Sequence, residues 1–277
     1  MREPKYSPPS HVGQVMQESL PCSRGYLGKV EDNLFAPLNL ETRAAFLRGS
    51  GGELVDKARS PAKMRALHSS SALAVNIFDH WVRNPSGPLL RSLGFDGSPA
   101  VSVRFEAQYP TGLPGTPPNL DVVIESPELP LLAVESKFTE WLSPKRVGQK
   151  PFKDKYFPAK VGMWESVGLK RSQQFAEQVQ ARPTLQHLDA PQMLKHALGL
   201  ATHNPAGFRL FYIYFDSAGS RGDVHRAELA EFSAAVGSEL GFHAISYQDL
   251  IRSLVVLQAG SEPYRDYLQR RYLHGVA

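Results

Sequence analysis

The sequence predicts an α/β domain with a mixed central sheet. Three neighbouring segments are rich in β-branched residues and are separated by Pro- and Gly-rich turns, which is typical of successive strands. A later segment, FRLFYIYFD, is apolar on both alternating faces, as expected for a strand covered on both sides. Together with the helical patterns around them, these segments give the order α-β-β-β-α-β-α-β, which indicates a single α/β domain.

The first part of the chain is rich in Pro, Gly and polar residues, with one short amphipathic piece, LETRAAFLRG. We interpret residues 1–60 as an N-terminal extension or cap, and residues 61–277 as the main domain. Ser60 and Pro61 form a good helix start, because Ser can cap free amides and Pro tolerates the first helical position. The predicted helix continues to about residue 83, with an interruption at the serines.

The strands and the later helices follow in turn. Residues 100–109, 119–126 and 129–138 predict a three-stranded meander. Asp189 can cap a helix over 189–203, and that helix precedes the doubly apolar strand at 208–216. The remaining patterns are helices at 223–240, 246–258 and 263–273, with a short strand at 242–246.

Composition limits the class of protein. The 277 residues are 42% apolar, and the formal charge of +4 with a pI near 9.1 is compatible with a polyanionic partner. Cys22 is the single cysteine, which excludes an intramolecular disulfide framework and a multi-cysteine zinc site. The sequence has no apolar leader and no run of about 18 apolar residues. We therefore expect a cytoplasmic protein with no membrane partner.

The stretch LLAVESKFTEWL carries two charges near the end of an apolar strand. Side chains alternate along a strand, so Glu135 and Lys137 share one face. Asp121 lies on the preceding strand and can meet them if the two strands pair through the turn at 127–130. The alternative is a solvated face, in which an opposite-charge pair contributes about 0.2–1 kcal/mol.

The apolar surroundings of these charges favour a metal site. Carboxylates that are buried without a counter-charge are destabilising, and a divalent cation offsets that effect. Two carboxylates with open positions for water and phosphate oxygens suit Mg²⁺, with Mn²⁺ as the second choice. Asp121 and Glu135 are the predicted ligands.

On these residues the chain resembles the PD-(D/E)XK nuclease superfamily, which has the restriction-endonuclease-like fold. Asp121 in NLDVVIE and Glu135 and Lys137 in VESKFTE match its motif, although the proline before the aspartate is absent. The resemblance implies phosphodiester hydrolysis, in which Asp121 and Glu135 hold the metal. Lys137 orients or helps to deprotonate the attacking water and stabilises charge on the phosphate.

The segment QMLKH resembles a helical motif that some bacterial members place after the meander. It implies a catalytic role for Gln192, and Lys195 and His196 can project from the same side of that helix. Glu106 on the first strand and Glu140 after the third are candidate supporting acids, with an ordinary surface position as the alternative for each.

A basic connection follows the meander, and we interpret it as a DNA-contacting segment because basic side chains neutralise phosphates. Tyr156, Phe157 and Trp164 lie within it and can either stack on bases or anchor the segment to the core. The predicted nucleic-acid-binding residues are Lys145, Arg146, Lys150, Lys153, Lys155 and Lys160.

The sequence thus predicts a Mg²⁺-dependent endonuclease acting on DNA, with a homodimer as an open alternative for cutting both strands. Neither a phosphate-binding Gly loop nor a nucleophilic Ser motif appears. Two alternatives remain: a catalytically inactive nucleic-acid-binding protein of the same fold, and a structural or partner-binding α/β protein.

Overall fold

The computed structural model describes residues 22–23, 25–49, 52–58, 60–97, 99–145, 150–159, 161–204, 206–257 and 262–273. A small antiparallel hairpin, β1 (Cys22–Ser23) with β2 (Tyr26–Leu27), precedes helix α1 (Leu40–Arg48). Leu34 and Phe46 from this part pack into the same core as the later helices. A domain boundary near residue 60 stays a prediction.

The first core helix begins later than the sequence indicates. Ser60 and Lys57 pair as an isolated β-bridge, so the predicted start at Ser60 and Pro61 is wrong. Helix α2 instead spans Ser70–Phe78, because the Ser69 side chain accepts a hydrogen bond from the Ala72 amide at 3.1 Å and caps its N-terminus. The predicted interruption at the serines is therefore confirmed as a true helix boundary.

The central sheet has five strands in the order β3-β4-β5-β6-β7. Its first three strands are antiparallel neighbours, and β5, β6 and β7 are parallel, so the predicted α/β class with a mixed sheet is confirmed. The strands are β3 (Ser102–Gln108), β4 (Asn119–Ser126), β5 (Leu129–Lys137), β6 (Phe208–Tyr214) and β7 (His243–Ser246).

Helices cover both faces of this sheet. After α2 come α3 (Gly87–Ser92), α4 (Lys170–Ala181), α5 (Ala190–His203), α6 (Ser220–Leu240), α7 (Tyr247–Leu257) and α8 (Glu262–Leu268). One core packs under α2, α7 and α8, and it contains Val122, Val134 and Phe211 from the strands. The opposite core packs under α4, α5 and α6, and it contains Ala133 and Tyr212.

The strand β6 is buried on both faces, as its sequence predicts. Leu210 and Tyr212 enter the core beneath α5 and α6, whereas Phe211 and Ile213 enter the core beneath α2 and α7. This doubly covered strand lies beside β5 and holds the end of β5 in place.

Candidate active site

Three acidic residues stand in a row across the first three strands. The β4–β5 register pairs Val122 with Val134, and its continuation places Asp121 opposite Glu135. The β3–β4 register pairs Phe105 with Val122 and continues through Glu106 opposite Asp121. The meander predicted from the sequence therefore brings the two principal carboxylates and Glu106 to one end of the sheet.

Asp121 is oriented by the backbone of the neighbouring strand. Its Oδ2 accepts a hydrogen bond of 2.7 Å from the Ser136 amide, which lies between Glu135 and Lys137. Burial raises the pKa of Asp121 well above its ordinary value, and the nearby Glu135 charge acts in the same direction. This carboxyl therefore gains strongly from a cation beside it.

Glu135 is buried, with 1% of its surface exposed, and it lies against the one lysine of the motif. The Lys137 ammonium donates to Glu135 Oε1 at 2.5 Å and to Gln192 Oε1 at 3.2 Å. Burial alone would raise the pKa of Glu135, but Lys137 and the neighbouring His196 outweigh burial and lower this pKa to about 2. Glu135 is thus a carboxylate at neutral pH.

The second carboxylate oxygen of Glu135 is an acceptor that receives no hydrogen bond from the described residues. Its Oε2 lies 3.0 Å from His196 Nε2, yet neither atom has a partner with hydrogen-bond geometry in the described part of the chain. Burying a carboxylate oxygen without a hydrogen bond is energetically unfavourable. Such an oxygen can bind a cation or accept a hydrogen bond from a water molecule.

Helix α5 brings Gln192 and His196 to strand β5. The Asp189 side chain caps this helix through the Gln192 amide at 3.0 Å, so the first turn is fixed where Gln192 meets Lys137. Lys195 faces elsewhere: its ammonium lies over the rings of Phe152 and Tyr156, 5.4 and 5.6 Å from their centroids. Of the three helix residues, two reach the site.

The two candidate supporting acids differ in placement. Glu106 lies at the end of the row, has a left-handed backbone (φ 52°), and accepts a hydrogen bond of 2.7 Å from the Asn119 amide. Burial raises its pKa, opposed by the bond from Asn119. Glu140 is exposed and accepts from the Phe138 amide at 2.8 Å, which closes the turn after β5.

The donors available at this site are suited to a hard metal ion. Asp121 and Glu135 both supply carboxylate oxygens, of which Glu135 Oε2 makes no hydrogen bond among the described residues, and oxygen is the ligand type that Mg²⁺ prefers. Among the described residues, no group of three or more His, Cys, Asp or Glu side chains is placed to hold a metal ion. The arrangement is compatible with two protein ligands, the remaining positions being left to water and substrate.

Part of the basic connection is already engaged in local contacts. Lys145 forms an ion pair with Asp189 at 2.6 Å, and Lys150 forms one with Asp154. Lys155 donates to the Pro114 carbonyl. Lys153 is exposed and makes no ion pair among the residues described, whereas Arg146 and Lys160 lie outside them. Exposed ion pairs contribute about 0–1 kcal/mol, so Lys145 and Lys150 can exchange a carboxylate for a phosphate.

The aromatic residues of this connection anchor it to the core. Trp164 is fully buried and donates from Nε1 to the Leu194 carbonyl of α5 at 2.7 Å. Tyr156 stacks against Trp164, and Phe157 packs beside the same indole ring. Of the two interpretations of these aromatic residues, the structure supports anchoring.

Sequence reasoning missed Ser136 and Tyr247 as supports of the site. The Ser136 hydroxyl faces away from the carboxylates and lies 2.6 Å from the Tyr247 hydroxyl in the opposite core. Alternation along β5 predicts that Ser136 points to the face opposite Glu135 and Lys137, but nothing in the local sequence indicates its partner, 111 residues away.

A family model described as restriction endonuclease associating with ARP matches residues 9–273. The chain belongs to this family. Neither the curated proteins nor the solved structures gave a significant match. Family membership and the mixed sheet together establish a restriction-endonuclease-like fold, and they support a nuclease-type enzyme with DNA as its substrate. None of the described helices is long and apolar enough to span a bilayer.

Proposed function

We propose that this member of the restriction endonuclease family is a PD-(D/E)XK-type, Mg²⁺-dependent nuclease that hydrolyses phosphodiester bonds in DNA. The observation that carries the proposal is the convergence of Asp121, Glu135 and Lys137 on one face of two paired strands. A solvated surface network does not explain it, because Glu135 is buried and one of its oxygens has no hydrogen bond in the described structure.

Asp121 and Glu135 would hold the metal ion, and Mn²⁺ would be accepted as well. When bound, the ion lowers the pKa of a water molecule and polarises phosphate oxygens. The Ser136 amide keeps Asp121 turned toward Glu135, so the two carboxylates are oriented before any ligand arrives. Such preorganisation reduces the reorganisation needed during reaction.

Lys137 is held for contact with substrate. An ammonium group has three N–H donors, and two of them are used by Glu135 and Gln192. The third makes no hydrogen bond among the described residues, so it can orient the attacking water or donate to a phosphate oxygen as negative charge builds there. Gln192 acts by fixing the ammonium, and His196 acts by packing against Glu135.

The family and the charge distribution support the proposed substrate. DNA is the proposed partner, with Lys145, Lys150, Lys153 and Lys155 as phosphate contacts. We place the protein in the cytoplasm and propose that two copies associate when both strands are cut. Because the family description names association with ARP, we also propose that the nuclease works beside such a protein.

The test is cleavage of supercoiled plasmid by the purified protein with Mg²⁺, with Mn²⁺ and with EDTA. Asp121→Asn and Lys137→Met are the site variants. Glu125→Gln is the matched control, since Glu125 lies on the same strand as Asp121 but pairs with Arg104 on the surface. We expect metal-dependent nicking by the wild type and the control, and a loss of at least about a hundredfold in both site variants.

The rival functions give different results. A non-catalytic DNA-binding protein would bind DNA in EDTA and leave the plasmid intact under every condition. A structural α/β protein would neither bind DNA nor respond to Mg²⁺. Equal cleavage by wild type and both site variants would show that the activity does not come from this site.

A further inference from the structure

A cleft lies between helix α1 and the edge strand β3. Its volume is about 530 Å³, and it is open to solvent along one side. β3 is an edge strand of the sheet that the described residues form. The polar side chains lining the cleft include Glu41, Arg48, Arg104, Glu106, Gln108 and Asn119.

Three of these side chains are fixed in a chain of hydrogen bonds. Gln108 Nε2 donates to Asn119 Oδ1 at 2.7 Å, and Asn119 Nδ2 donates to Glu106 Oε2 at 2.7 Å. Each amide is therefore held in one orientation, with its remaining donor or acceptor facing away from the chain of bonds. Oriented amides and carboxylates are the groups that pair with the edges of nucleobases.

The cleft ends at the candidate active site. Glu106 belongs to both, because it lines the cleft and stands opposite Asp121 in the strand register. The end of α1 closes over the same residue: a Cβ atom at Gly49 would lie 3.5 Å from Glu106 Oε2. A ligand in the cleft therefore lies beside the row of carboxylates.

Size and charge limit what the cleft can accept. Its volume is in the range of small-ligand sites and too small for a base-paired duplex. The half-buried Glu106 repels phosphate, and Arg104 is paired with Glu125, whereas Arg48 is exposed on α1 and forms no ion pair among the described residues. A nucleotide fits this pattern with its base inside and its phosphate toward Arg48.

We propose that this cleft binds one unpaired nucleotide of the DNA strand that is cut, so that the preferred substrate contains a single-stranded segment or a flap. The inference deepens the proposed nuclease function and rests on it. It assigns the recognition of the reacting strand to α1 and β3, and it leaves the lysines of the connection to contact the phosphates of the flanking DNA.

The experiment measures binding in EDTA, where no cutting occurs, with fluorescently labelled oligonucleotides. A single strand, the duplex of the same sequence and a duplex with a single-stranded flap are compared at several salt concentrations. The variants are Arg48→Ala and Gln108→Ala. Arg91→Ala is the matched control, because Arg91 is exposed on α3 and also lacks an ion pair in the described residues.

We expect the single strand and the flap to bind at least about tenfold more tightly than the duplex. Arg48→Ala should weaken binding of the single strand about tenfold and reduce the slope of log affinity against log salt by about 0.7, the value for one phosphate of a single strand. Gln108→Ala should weaken it without changing the slope. Arg91→Ala should match the wild type.

Equal affinity for duplex and single strand, or wild-type binding by Arg48→Ala and Gln108→Ala, would overturn the inference. The outcome is separable from that of the proposed function. A protein that cuts plasmid but shows no dependence on these two residues loses only the cleft assignment. A protein that binds single strands through the cleft but cuts nothing keeps the assignment and loses the nuclease proposal.

Discussion

Replacing Tyr247 by Phe tests whether the catalytic strand is supported from the opposite core. Tyr247 begins α7, and its hydroxyl lies 2.6 Å from the Ser136 hydroxyl, with both residues buried. Tyr247→Phe removes one partner and leaves the Ser136 hydroxyl buried without another hydrogen bond among the described residues. The Ser136 amide, which holds Asp121, lies on the same residue.

The expected loss of stability follows from a difference between removing one partner of a buried hydrogen bond and removing both. A buried hydroxyl that loses its partner destabilises the fold by about 1–3 kcal/mol, whereas removal of both partners is closer to neutral. We therefore expect Tyr247→Phe to lower the free energy of unfolding by about 2 kcal/mol. The double variant with Ser136→Ala should be less destabilised than the sum of the two single variants, by about 1 kcal/mol.

Activity should fall together with stability, because the orientation of the Asp121 carboxylate depends on the position of the Ser136 amide. We expect plasmid turnover by Tyr247→Phe to fall about tenfold at a temperature where the variant is folded. Urea unfolding and plasmid nicking measure the two effects. The control is Tyr26→Phe, whose hydroxyl has no hydrogen bond in the described part of the chain. If Tyr247→Phe equals Tyr26→Phe in both assays, the proposed support from the opposite core is refuted.

Three further predictions concern pH, a buried carboxylate and the basic connection. Burial lowers the pKa of His225 to about 3, against about 6.5 in the unfolded chain. The free energy of unfolding should therefore fall by about 2 kcal/mol between pH 6.5 and pH 5, and His225→Phe should reduce this loss in urea unfolding. Glu228→Gln should lower the free energy of unfolding by about 3 kcal/mol, because its carboxylate accepts three backbone N–H groups; an unchanged urea midpoint would contradict this. Changing Lys150, Lys153 and Lys155 together to Ala should weaken DNA binding and flatten its salt dependence; an unchanged slope would remove them from the interface.

The strands were predictable because their signals are local. The meander segments carry β-branched residues between Pro- and Gly-rich turns, and β3, β4 and β5 begin and end within two residues of the predicted bounds. The short turn at 127–128 pairs Ser126 with Leu129, and a one-residue shift between Ile124 and Ser126 then sets the register that brings Asp121 opposite Glu135. The sequence pattern was therefore sufficient to make the two strands neighbours, whereas the final alignment of the two principal carboxylates depends on this shift.

Helix α4 shows why other elements were not predictable. It lies within the long connection and has no side-chain cap of its own. Its first amides are instead bound by Glu239 at the end of α6: Arg171 N donates to Oε1 and Ser172 N to Oε2, at 2.9 and 2.8 Å. A cap supplied from 67 residues away leaves no local signal in the sequence.

The row of carboxylates lies where residues two apart on β3 and β4 pack in different cores. Phe105 and Val122 pack in the core beneath α2, whereas Ala107 and Leu120, two positions along on each strand, pack in the opposite core. Regular alternation would keep residues two apart on one face, and the left-handed backbone of Glu106 marks the point where that alternation breaks. Neither core fully covers the strands at this point, so Glu106 and Asp121 remain half-buried. This local break explains how an apolar sheet holds half-buried acidic side chains without exposing its core.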